Sequence, residues 1–171
     1  RLTLQTPSVA FDVNLTLALR RDGDSVVETL VAETETPAAV LSQLRILTGP
    51  ALGRPDLRWT VRAEGDTAPT GLSDSSVGII DRDGEGAYTI NLLGRELRGR
   101  QLVGRRRYPV PSDMRLRLPS LPEAASQDAE VLVGPGLTVR GLDPSVLRVP
   151  SGPSTETSAT KLRYDAVDQP F

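Results

Sequence analysis

Within residues 8–21, SVAFDVNLTLALRR, positions 9–20 keep a side-chain period of two. Val9, Phe11, Val13, Leu15, Leu17 and Leu19 alternate with Ala10, Asp12, Asn14, Thr16, Ala18 and Arg20. Successive Cβ atoms of an extended chain point to opposite sides, so this pattern predicts a long strand with one buried face. A helix would need its apolar residues at three- and four-residue steps. Asp22-Gly23-Asp24 then supplies turn chemistry, and SVVETLVAETE (25–35) reads as the hairpin partner.

The same plan recurs along the chain. Leu44 and Ile46 lead into a Gly/Pro-rich loop, after which Leu57, Trp59, Val61 and Ala63 alternate with Arg58, Thr60, Arg62 and Glu64. VGIID (77–81) and AYTINLL (87–93) flank Asp83-Gly84 as a second predicted hairpin. Met114, Leu116 and Leu118 alternate with Arg115 and Arg117. AEVLVGPGLTVRGL (129–142) reads as two strands about Gly134-Pro135-Gly136, and SVLRVP and TKLRYD follow, separated by the Ser/Thr/Pro-rich SGPSTETSA. One helix start is signalled, at Thr36 as cap with Pro37 in the first turn of 36–44.

Ten to twelve strand-like runs with turn signals every 8–12 residues predict an all-β protein. The expected architecture is an antiparallel β-sandwich, immunoglobulin-like or jelly-roll-like, with little or no helix. Residues 1–150 are expected to form the sandwich, with 151–171 as a loop and a final strand that closes it or leads to a next module. Hydrophobic residues make up 38% of the chain but aromatics only 4%, so the core must be built mostly from Val, Leu and Ala. Strand parity selects Phe11, Val13, Leu15, Leu17, Leu57, Trp59, Val61, Leu116 and Leu118 as its members.

Charge is unevenly distributed. GRELRGRQLVGRRRYPVP (94–111) carries Arg95, Arg98, Arg100, Arg105, Arg106 and Arg107 against one acid, Glu96. That is +5 in a chain of net −2, so the remainder is near −7 (six arginines less one acid, set against −2), which speaks against a generally nucleic-acid-seeking domain. Glycines disfavour a helix here. As a strand, the stretch puts Arg98, Arg100 and Arg106 on one face with Leu102 and Tyr108, and Arg105 and Arg107 on the other. Charges on both faces predict a solvated end, a sheet-edge role that blunts pairing with other chains, and a bulge at Gly99 or Gly104. Arg98, Arg100, Arg105, Arg106 and Arg107 are the candidate contacts for an acidic partner, since guanidinium groups recognise carboxylates and phosphates in a bidentate manner. Base stacking would need more aromatics than Tyr108 alone.

Other chemistries find little footing. The chain has neither Cys nor His, which excludes disulfides, Cys/His zinc sites and Ser–His or Cys–His nucleophile pairs. Lys161 is the single lysine, and no Gly-rich phosphate loop precedes it. DRDGEG (81–86) places Asp81, Asp83 and Glu85 at alternate positions before Gly86, as calcium loops do, but position twelve is Leu92 where a bidentate acid is required. An Asp-Gly hairpin turn explains the same letters. Asp81, Asp83 and Glu85 are therefore the candidate metal ligands, calcium is the one cofactor considered, and no catalytic residue is assigned. Trp59 reads as core rather than as a sugar platform, and the Asn14-Leu15-Thr16 acceptor pattern lies in mid-strand.

Nineteen Arg against one Lys is a coding bias of GC-rich bacterial genomes, and the texture resembles the β-rich modules of large exported or envelope bacterial proteins. No run approaches the 18–20 apolar residues of a membrane helix, and the chain reads as an excised module. The expected role is a non-catalytic structural or interaction module of a larger extracytoplasmic protein, contacting neighbouring modules or an acidic envelope partner. A carbohydrate- or calcium-dependent binding module and a carboxylate-based hydrolase are the alternatives. A concave aromatic face would favour the first of these, and two convergent buried acids the second.

Overall fold

A computed structural model describes residues 11–34, 43–48, 54–63, 78–82, 86–91, 100–112, 117–138 and 160–164. These contain nine strands and no helix. They are β1 (Asp12–Asp22), β2 (Ser25–Thr34), β3 (Gln43–Leu47), β4 (Arg58–Ala63), β5 (Gly78–Arg82), β6 (Ala87–Asn91), β7 (Arg100–Pro109), β8 (Ser126–Val133) and β9 (Thr160–Tyr164). Six form one sheet in the order β4-β7-β2-β1-β8-β9, and three form a second in the order β3-β6-β5.

The alternating segment becomes β1 at the middle of the larger sheet, and its apolar members Val13, Leu15, Leu17 and Leu19 are all buried. The β1–β2 hairpin closes through the pair Asp22↔Ser25, which leaves Gly23 and Asp24 as the two-residue turn. Gly23 takes φ of +60°, a left-handed conformation that costs glycine little and other residues more. The β5–β6 hairpin also forms, with a register shift between Ile79 and Asp81. Both sheets feed one hydrophobic cluster. Leu44, Ile46, Tyr88 and Ile90 come from the smaller sheet, and Leu15, Leu17, Leu30, Trp59 and Leu102 from the larger. An isolated bridge between Leu47 and Ser120 ties β3 to the segment before β8.

Of the expected core, Phe11, Val13, Leu15, Leu17, Leu57, Trp59 and Val61 are buried and Leu118 is partly buried against the cluster. Leu116 lies outside the described residues. Gln43 and Leu44, the end of the expected helix, belong to β3, and the rest of 36–44 is outside the described residues. Arg117–Pro119 is not strand.

The expectation of a wholly antiparallel architecture is corrected. The larger sheet is mixed, because β8 pairs with β1 in parallel. The alternation that predicts a strand carries no information about the direction of its neighbour. The described residues hold nine strands, and the expected strand SVLRVP (145–150) lies outside them. Strand β7 does not pair with the β5–β6 hairpin that precedes it in sequence: β6 lies between β3 and β5, whereas β7 lies between β4 and β2 in the other sheet. Strand β9 joins the larger sheet at the edge of β8, pairing Leu162 with Val131. Among the described residues no helix is long and apolar enough to cross a membrane.

Candidate functional site

Strand β7 carries the arginines and is an interior strand, so it cannot serve as an edge guard. Its register against β2 runs from Ser25↔Pro109 to Glu33↔Gln101 without a shift, so Gly104 is not a bulge. Gly104 has a different reason to be glycine. A Cβ there would meet the six-membered ring of Trp59 at 2.7 Å, and Trp59 is its direct partner across β4. The same indole packs edge-on against Tyr88, with ring centroids 5.6 Å apart, and the Tyr88 hydroxyl accepts the Leu57 backbone N–H at 3.2 Å. Trp59 is thus a joint between sheets, buried to 6% exposure, and offers no sugar platform.

The triplet Arg105-Arg106-Arg107 splits by parity. Arg106 turns to the core face and is 4% exposed, which overturns the expectation of a solvated end. Its register partner is Glu28 of β2, itself 3% exposed. Arg106 donates from Nη2 to Glu28 Oε1 at 2.5 Å. Arg54, from the segment before β4, donates from Nη1 to Glu28 Oε2 at 3.3 Å, and the Tyr108 hydroxyl donates to the same oxygen at 3.0 Å. Both guanidinium carbons lie 5.9 Å from the centroid of the Tyr108 ring. Three donors thus converge on one carboxylate. Burial, then the Glu28 charge and the hydrogen bond to it, push the Tyr108 hydroxyl up to about 12, against the pull of Arg54. Arg106 Nε and Nη1 are buried without a hydrogen-bond partner, as is the indole Nε1 of Trp59.

Both oxygens of Glu28 are occupied and its charge is neutralised from two sides. A general base needs a free lone pair within reach of a substrate proton, and a glycosidase pair needs a second carboxylate facing it. At 3% exposure, and with its oxygens accepting from Arg54, Arg106 and Tyr108, Glu28 ties β2 to β7 and to the segment before β4. Sequence parity placed Arg106 beside Leu102 and Tyr108 but missed Glu28. The signal was present, since Glu28 shares its parity with buried Val26, Leu30 and Ala32.

Arg105 and Arg107 point to the opposite, outer face and are exposed. Arg107 pairs with Asp22 at 3.2 Å, an open contact with both side chains about half exposed (62% and 47%). Arg105 stands directly opposite Arg58 of β4, and among the described residues neither forms an ion pair. The row continues across the sheet through Thr29, Ala18, Leu132 and Lys161 and contains no acid. Arg62 lies two pairs further along β4 on the same face, beyond Thr60, and opposite Gln101, which donates to Glu33. Of the other expected contacts, Arg100 begins β7 in register with Ala63, and Arg98 lies outside the described residues.

Of the candidate calcium ligands, Asp81 sits in β5 opposite Thr89, and Asp83 and Glu85 lie outside the described residues. Gly86, at φ of +94°, accepts hydrogen bonds at its carbonyl from the Thr48 backbone and hydroxyl, which anchors the end of the hairpin to the core. The single lysine, Lys161, is joined to Glu130 at 2.5 Å on the outer face.

No protein-family model matches this chain, and no curated protein sequence matches it either.

Proposed function

We propose that the chain is a β-sandwich interaction module, non-catalytic, within a larger extracytoplasmic bacterial protein. The two sheets contribute side chains to one core, which supports the sandwich reading. The division of charge carries the functional reading. The buried carboxylate is saturated by Arg54, Arg106 and Tyr108, whereas Arg58 and Arg105 stand exposed and face each other without an acid between them. Like charges directly opposite destabilise a sheet. A module that keeps such a pair on its surface is built for a partner that brings the missing negative charge. The β-rich texture of the sequence supports the extracytoplasmic setting.

The test is a turnover screen of the purified chain against ester, glycoside and peptide substrates. The expected result is no activity above that of a heat-denatured control. Turnover abolished by changing a single acid would place the chain among hydrolases instead.

A further inference from the structure

The outer face of the larger sheet is a grid whose spacings follow from strand geometry. Neighbouring strands lie about 4.8 Å apart, and side chains on one face of a strand repeat about every 6.8 Å. Arg58 and Arg105 occupy adjacent strands in one row, and Arg107 lies one repeat further along β7. Across β2, Arg107 faces Val27, and Val27 faces Arg20. Val27 is buried at 5% exposure although it points to this outer face, as is Val103 at 3%. Arginine stems can cover such apolar ground while their head groups stay in water.

We propose that this face, over β4 and β7, docks a short extended acidic segment of a protein partner, and that carboxylates at alternate positions of that segment engage Arg58, Arg105 and Arg107. The proposal rests on the interaction-module reading and names the partner's chemistry. An extended peptide repeats its side chains about every 6.8 Å on one face, the same step that separates Arg105 from Arg107. One carboxylate seated between Arg58 and Arg105 relieves the repulsion between them. The next acid along the segment reaches Arg107, whose present partner, Asp22, is half exposed and easily replaced. Each guanidinium offers a planar fork that matches a carboxylate.

Two observations favour an acidic peptide over a nucleic acid. The rows that hold these arginines continue through Thr29 and Ala18 and through Val27 and Arg20, the neighbouring row pairs Thr60 with Val103, and none of these positions supplies an aromatic on which a base could stack. The chain outside the arginine stretch is acidic overall, so a long polyanion extending beyond the patch would be repelled, whereas a short segment stays within it.

The experiment is fluorescence anisotropy of a labelled peptide of about a dozen residues alternating Glu and Ser, whose length follows from the strand spacing. It is titrated with the parent chain and with Arg58→Ser/Arg105→Ser. A control of equal net charge, Arg45→Ser/Arg117→Ser, removes exposed arginines that lie off this face. An oligothymidylate of matched charge is the rival ligand. The parent should bind the peptide, and binding should weaken with added salt. The Arg58/Arg105 variant should lose about tenfold or more in affinity, the effect of one charge-assisted contact. It should melt at or slightly above the parent's temperature, since the opposed like charges are gone, and the control should bind as the parent does. Absence of binding by the parent, equal weakening by the control, or tighter binding of the oligothymidylate would each overturn the proposal. Those outcomes leave the non-catalytic reading standing, since only turnover dependent on a single acid removes it.

Discussion

Glu28 is the residue on which the larger sheet's charge balance turns. With its carboxylate replaced by an amide, the buried guanidinium of Arg106 would lose the charge it is paired with. Breaking a buried pair in this way costs about 3–5 kcal/mol, so Glu28→Gln should lower the midpoint of urea unfolding by the equivalent amount with an unchanged slope. The triple variant Glu28→Leu/Arg54→Met/Arg106→Met removes every charge of the cluster at similar volume and should unfold within about 1 kcal/mol of the parent, or later. A triple variant as weak as Glu28→Gln would show that the cluster is worth more than its desolvation cost. Tyr108 adds a pH dependence with a definite sign. Its folded-state value of about 12 lies above the 10 of an unfolded tyrosine, so the neutral hydroxyl stabilises the fold. That contribution is complete below pH 10 and disappears as pH rises through 12, a loss on the order of 2–3 kcal/mol at about 1.4 kcal/mol per unit. Alkaline unfolding of the parent should therefore steepen between pH 10 and 12, and Tyr108→Phe should remove that increment. A Tyr108→Phe profile that overlays the parent's would show that the hydroxyl is not coupled to folding. This cluster was half legible in the chain. Parity put Arg106 on the side of Leu102 and Tyr108, but its acid lies 78 positions away in β2, and only the β2–β7 register joins them.

At the scale of the element, β7 shows what alternation can and cannot say. The inward set Leu102, Gly104, Arg106 and Tyr108 and the outward set Val103, Arg105 and Arg107 follow from a period of two. The placement of the strand does not, because an interior strand and an edge strand share the same pattern when one face is apolar. Arginine density suggested an edge, yet the charges are handled in another way: one is neutralised inside the core and two are left in solvent. Gly104 has a similar history. The sequence offers a glycine in a strand, which weakens it unless something approaches closely, and Trp59 is what approaches. Gly104→Ala should cost about 1–3 kcal/mol, because the added methyl lies within 3 Å of three indole ring atoms and the ring is pinned by Tyr88. Tryptophan fluorescence should shift with it as the indole is displaced. A melting temperature and an emission maximum equal to the parent's would show that the ring moves aside freely.

Across the whole molecule, the two sheets, the absence of helix among the described residues and most of the core were legible from periodicity and turn chemistry, since both are local properties. Strand order was not, because it depends on pairings between distant segments. The parallel contact of β1 with β8 is the clearest case: the Ser126 hydroxyl bonds Asp12, and Thr16 bonds Glu130, each pair 114 positions apart. Shortening the chain to residues 1–112 removes β8 and β9 and leaves one side of β1 unpaired. Such a fragment should self-associate in light scattering where the full chain does not, since a long unpaired strand is a template for other chains. A monodisperse fragment would show that the remaining strands close without β8. The same geometry sets a timetable on the ribosome. At roughly 5–20 residues per second, the β1–β2 hairpin is complete several seconds before β8 has been made. Throughout that interval the nascent chain carries β1 with one side open, so its safety during synthesis depends on the time needed to translate the middle of the message.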